Sequence, residues 1–104
     1  MADNPLKRLH AAGQSIWLDF IDRSLLNDGS LERLIAQDAL MGMTSNPTIF
    51  EKALSSGHEY DAQIADAAHD RTAWGLFELI ETDDVRAACD KFAGTFKETN
   101  GRDG

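Results

Sequence analysis

Apolar positions along the chain fall into two periods, and the switches between them set out the elements. Leu6, Leu9 and His10 share one face at helical spacing. Asn4 and Pro5 just before them read as a side-chain cap followed by proline at the first helical position, where its missing N–H costs nothing. Gly13 can close this helix in the left-handed conformation. The period then changes. Ser-Ile-Trp-Leu-Asp-Phe at 15–20 is short, bulky and mostly apolar, which predicts a strand buried on both faces. Residues 22–28 predict a short helical turn closed by Gly29. Ser30 is then placed to cap a helix whose stripe is Leu31, Leu34 and Ile35. Leu-Met-Gly-Met-Thr at 40–44 predicts a second buried strand, although its two methionines also suit a helix.

Beyond residue 45 the pattern is helical. Asn46 and Pro47 repeat the cap-plus-proline start, with a helix running through Leu54 and ending near Gly57. Residues 59–68 predict a polar, alanine-bearing helix. Residues 71–81 predict another, with Trp74, Phe77 and Leu79 or Ile80 as core contacts. Thr82 or Asp83 is placed to cap a last helix, in which Val85, Ala88 or Cys89, Phe92 and Phe96 recur at helical spacing. Asn100 and Gly101 close it. The order is helix, strand, helices, strand, helices. Two strands joined by a helical crossover are parallel if they pair. Two strands make a poor sheet alone, since parallel sheets have more strands and both faces covered. Residues 97–104 form a polar turn of the kind that leads into a further element, so the α/β pattern reads as broken off. The chain shows neither a repeat nor a linker.

Composition narrows the functions this pattern can serve. At 104 residues the chain is one domain at most, with 42% hydrophobic and 27% charged residues, as in ordinary globular proteins. Eighteen acids against ten bases give a net charge of −8, which repels phosphate backbones and anionic membranes. Neither nucleic acid nor membrane is expected as a partner. Cys89 is the one cysteine, so no intrachain disulfide framework forms. With no apolar signal region at the start and no membrane-length run, the reading is a cytoplasmic chain. His10, His58 and His69 are not at metal-ligand spacing, and Cys89 stands alone on an apolar stripe. Trp17 and Trp74 read as core side chains.

The string Thr-Ser-Asn-Pro-Thr-Ile-Phe-Glu at 44–51 closely resembles the loop after the second barrel strand of bacterial transaldolases, especially the long form sometimes fused to glucose-6-phosphate isomerase. Residues 13–20 resemble that family's first strand. Residues 59–64 resemble its helical insertion, and residues 83–90 the helix before its third strand. The resemblance runs in order along nearly the whole chain. It implies that residues 1–104 are the N-terminal portion of a single (β/α)8 TIM-barrel domain, comprising two β/α units and a helical insertion and truncated before the third strand. Barrels of this type carry their sites at the carboxyl ends of the strands. The reaction implied is transfer of a dihydroxyacetone unit from sedoheptulose 7-phosphate or fructose 6-phosphate to an aldose phosphate, within the pentose phosphate pathway. It proceeds through a lysine Schiff base with no metal or organic cofactor.

Three residues carry the implied site. Asp19 matches the family's acid/base for the donor's C4 hydroxyl, where a carboxylate can take the proton as the carbon–carbon bond breaks. Without the resemblance, a strand-end aspartate is more simply a local cap. Thr44 and Asn46 match positions that hydrogen-bond the dihydroxyacetone portion. Asn46 can cap the following helix through its carbonyl oxygen and still offer its amide NH2. Ser45 alternates to the other side and receives no role. Lys7, Lys52, Lys91 and Lys97 all fall on predicted helices as solvated positions, whereas a Schiff-base lysine needs a desolvated, neutral amine. The family's lysine and its partner glutamate belong to later strands. The chain by itself is therefore expected to be inactive. A related Schiff-base aldolase is the nearest alternative, disfavoured by the long helical stretch between Phe50 and Asp83. A non-catalytic helical interaction module is the alternative of another class. Unpaired strand edges make self-association a further expectation.

Overall fold

A computed structural model describes residues 3–104. Seven α-helices and two strands follow one another as α1 (Pro5–Ala11), β1 (Ile16–Asp19), α2 (Arg23–Asn27), α3 (Ser30–Gln37), β2 (Leu40–Thr44), α4 (Pro47–Ser56), α5 (Asp61–Ala67), α6 (Ala73–Lys91) and α7 (Ala93–Glu98), with a 3-10 turn over Ala68–Asp70. The result is a helix-rich α/β arrangement around a two-stranded parallel sheet.

The expected caps hold at two helices. Asn4 Oδ1 accepts from the Leu6 amide at 2.9 Å, and Asn46 Oδ1 accepts from the Ile49 amide at 2.9 Å, each with proline next in sequence. Ser30 is not a cap. Gly29, at φ 83°, occupies that position, and Ser30 is the first helical residue, its amide bonded to Asp28 Oδ1 at 2.8 Å. The Ser30 hydroxyl, and then that amide contact, hold the Asp28 carboxyl below its ordinary pKa. The expected break at Thr82 or Asp83 is also absent, and α6 runs through both for 19 residues. The reason lies in the side chains. Thr82 Oγ1 donates back to the Glu78 carbonyl at 2.6 Å, and Asp83 and Asp84 reach other elements. The cap of α6 is Thr72, whose Oγ1 accepts from the Gly75 amide at 3.0 Å. The chain bends instead at Phe92, before α7.

β1 and β2 pair as Ile16 with Leu40, Trp17 with Gly42, Leu18 with Met43 and Asp19 with Thr44. One residue is slipped between Ile16 and Trp17. The slip sets the Trp17 indole across Gly42, where a Cβ would collide with the ring. Helices cover one side of the sheet. Ile21, Leu31, Phe50, Tyr60 and Ile80 are almost wholly buried there, with Leu18 and Met43 packed against them. Phe50 sits at the centre, edge-on to Tyr60 at 5.8 Å and to Phe77 at 5.1 Å.

The other side is more open than a strand buried on both faces requires. Trp17 is 51% exposed, because alternate positions of β1 point away from the helices. Trp74, also expected in the core, is 74% exposed. It stands near the solvent-facing start of α6, stacked on Phe77, whose own ring turns inward to Phe50. The stripe of residues 85–96 divides likewise: Ala88 and Phe92 are buried, Val85, Cys89 and Phe96 exposed. Leu6 and Leu9 are exposed on α1, which buries no residue. The radius of gyration, 15.7 Å, exceeds the roughly 13 Å of a compact domain this long, in keeping with a half-covered sheet.

Candidate functional site at the strand ends

Parallel pairing brings the last residues of both strands to one edge of the sheet. Asp19 and Thr44 end β1 and β2 and stand opposite each other in register. Thr44 Oγ1 donates to Asp19 Oδ1 at 2.6 Å. Both side chains are exposed, and the second carboxylate oxygen of Asp19 faces no protein donor among the described residues. Such a carboxylate can accept a proton from a bound hydroxyl while the threonine holds it in place.

Asn46 lies two residues past Thr44. Its carbonyl oxygen is taken by the cap, and its Nδ2 makes no hydrogen bond among the described residues, so an amide donor remains free. Asp19 and Thr44 thus meet directly, while Asn46 is placed by its cap on the adjoining turn. Ser45 turns into an apolar concavity of about 550 Å3 beside β2, bordered by Trp17, Met43, Val85, Phe92 and Phe96, and its Oγ has no protein partner there.

A second polar cluster went unmarked in the sequence. Arg23, the first residue of α2, lies between α5 and α6. Its backbone N–H donates to the Tyr60 hydroxyl at 2.9 Å, its Nε to Asp84 Oδ1 at 2.9 Å, and its Nη1 to Gln63 Oε1 at 2.6 Å. The guanidinium sits 4.4 Å from the Tyr60 ring centre. The Tyr60 hydroxyl donates to Asp84 Oδ2 at 2.5 Å, and Gln63 Nε2 to Asp83 Oδ2 at 2.7 Å. Asp84 is 2% exposed and Tyr60 1%. Burial, then the bonded Asp84 carboxylate, push the Tyr60 hydroxyl well above its ordinary pKa, so it stays protonated and donating. No spacing rule links positions 23, 60 and 84. The available signal was an aspartate on the inward face of a helix, which needs a partner.

Among the described residues there is no group of acids, histidines and cysteine able to hold a metal ion, and no helix long and apolar enough to cross a membrane.

Polar side chains gathered at the carboxyl ends of parallel strands, with helices as the crossovers, are the arrangement of α/β enzymes that work at that edge. Comparison with known proteins narrows the class. The family model described as Transaldolase/Fructose-6-phosphate aldolase matches residues 16–104, and the chain belongs to that family. Over 99% of its length it is 47% identical to a transaldolase of Mycobacterium bovis and to one of Mycobacterium tuberculosis. Over 97% it is 45% identical to a transaldolase of Mycobacterium leprae. It spans 28% of the length of each of these relatives.

Proposed function

We propose that this chain forms the first two β/α units, with the helical insertion, of a (β/α)8 barrel that transfers a dihydroxyacetone unit between sugar phosphates in the pentose phosphate pathway. The hydrogen bond between Thr44 and Asp19 at the paired strand ends carries this reading. Asp19 takes the proton of the donor's C4 hydroxyl as the C3–C4 bond breaks, and returns it to the acceptor aldehyde's oxygen as the new bond forms. Thr44 and the free amide of Asn46 orient the polyol. The long α4–α6 stretch and the transaldolase names of the relatives favour transfer over simple aldol cleavage. Family membership weighs against a non-catalytic interaction module. A metabolic role of this kind fits the cytoplasm.

The electrophile-capturing lysine, on this reading, is not among Lys7, Lys52, Lys91 and Lys97. All four are exposed on helices, and Lys91 is paired with Glu32. Borohydride reduction of the 104-residue chain with fructose 6-phosphate should leave no sugar adduct; an adduct on any of the four lysines sinks this part of the proposal. On this reading the complete barrel carries its glutamate and its lysine on strands other than β1 and β2. The Gly104 amide already donates to the Met41 carbonyl at 2.9 Å, on the edge of β2 where a third strand would add.

The free edge of β1 and the exposed Trp17, Phe20 and Phe96 give the isolated chain a surface for self-association. Sedimentation should show a concentration-dependent mass; a compact monomer at all concentrations contradicts this.

A further inference from the structure

Asp19 is followed by the turn 20–22, and α2 begins at Arg23. That turn must hold a fixed course if the carboxylate is to meet Thr44. Two devices hold it. Locally, Asp22 Oδ1 accepts from the Leu25 amide at 2.7 Å. At long range, the Tyr60 hydroxyl takes the Arg23 amide, one of the otherwise unpaired donors of the first helical turn. Asp84 then holds the Arg23 side chain and the Tyr60 hydroxyl together, one oxygen on each. The Tyr60 hydroxyl and Asp84 Oδ1 are thereby engaged with the start of α2, while Asp84 Oδ2 ties the pair together. The buried pair lies outside the strand-end site, yet it grips the chain four residues past Asp19.

We propose that Tyr60 and Asp84 are positioning residues for Asp19, acting through Arg23. The helical insertion then sets the geometry of the proton-transferring carboxylate from the far side of the β1 exit. This rests on the reading of Asp19 as the acid/base group. Arg23 is well suited to the link, since its planar group bonds Asp84 and Gln63 while lying over the tyrosine ring, which lysine cannot do.

The test observes Asp19 directly in the 104-residue chain. Tyr60→Phe keeps the ring and its contact with Phe50 and removes both hydroxyl bonds. Carbon-13 NMR of the Asp19 carboxyl, and the nuclear Overhauser contact between Asp19 and the Thr44 methyl, are compared with those of Phe50→Leu, a core variant lacking any bond to the turn. The proposal expects Tyr60→Phe to move the Asp19 resonance by more than its linewidth and to weaken the Thr44 contact, with Phe50→Leu leaving both in place. Equal effects from the two variants, or an unmoved Asp19 in folded Tyr60→Phe, overturn it. Should Tyr60→Phe not fold, Arg23→Lys is read the same way: it keeps the charge beside Asp84 but loses the second arm and the stacking, and an unmoved Asp19 again overturns the proposal. Failure of the acid/base reading is seen separately, as unchanged turnover of Asp19→Asn in the complete barrel.

Discussion

The two strands of this sheet hand the chain on by different means. At the end of β2 the turn is fixed from within: Asn46 caps its own helix, Pro47 presets the first turn, and all the residues involved are sequence neighbours. At the end of β1 the local cap of Asp22 is supplemented at Arg23 by a tyrosine 37 residues and an aspartate 61 residues beyond that arginine. One exit is a property of a short peptide. The other is complete only when Tyr60 and α6 are packed against α2. Side chains at one sheet edge can thus be set there by unlike devices, which respond differently to mutation.

Substitution at the buried pair should break the contrast most visibly. Asp84→Ala leaves Arg23 Nε and the Tyr60 hydroxyl without their acceptor, and removing one partner of a buried ion pair costs about 3–5 kcal/mol. Urea titration should show this loss; a cost no larger than that of Asn46→Ala would erase the distinction between the exits. The Tyr60 hydroxyl gives the next effect, as a pH dependence. Its pKa is raised in the folded chain, so the unfolded chain releases the proton first. The contribution is whole below the ordinary tyrosine pKa of about 10 and declines as pH rises beyond it. Thermal melts should fall more steeply above that pH in the parent chain than in Tyr60→Phe. Asn46→Ala follows, with an expected loss of about 1 kcal/mol from the α4 cap, read by the same urea titration. Thr44→Val is the smallest, about 0.5 kcal/mol, because its bond to Asp19 is exposed to water. A much larger loss would show that strand pairing depends on that bond.

What could be read from the sequence follows the same division. The Asn4 and Asn46 caps and the two strand ends are local patterns, and they emerged from neighbouring residues, while the grouping of Asp19, Thr44 and Asn46 came from resemblance to a family. The parallel pairing followed from the helical crossover between the strands. The Arg23–Tyr60–Asp84 cluster did not emerge, because its members share no periodicity and meet only through tertiary packing. The continuity of α6 was hidden for a related reason: Thr82 and Asp83 look like a helix start, yet one bonds back into its own helix and the other reaches Gln63. The exposure of Trp17 and Trp74 escaped because hydrophobicity marks what can be buried, while the elements packed around a position decide what is. Ala39, in the left-handed region at φ 58° between α3 and β2, lacks the glycine that usually announces such a turn.

The 61 residues between Arg23 and Asp84 also set a schedule. A chain synthesised from its N-terminus at about 5–20 residues per second makes Asp84 roughly 3–12 s after Arg23. During that interval β1 and β2 can both be complete and the Asn46 cap formed, while the turn after Asp19 still lacks its distant hold. The turn after β2 can therefore mature before the turn after β1, whose distant contacts come last.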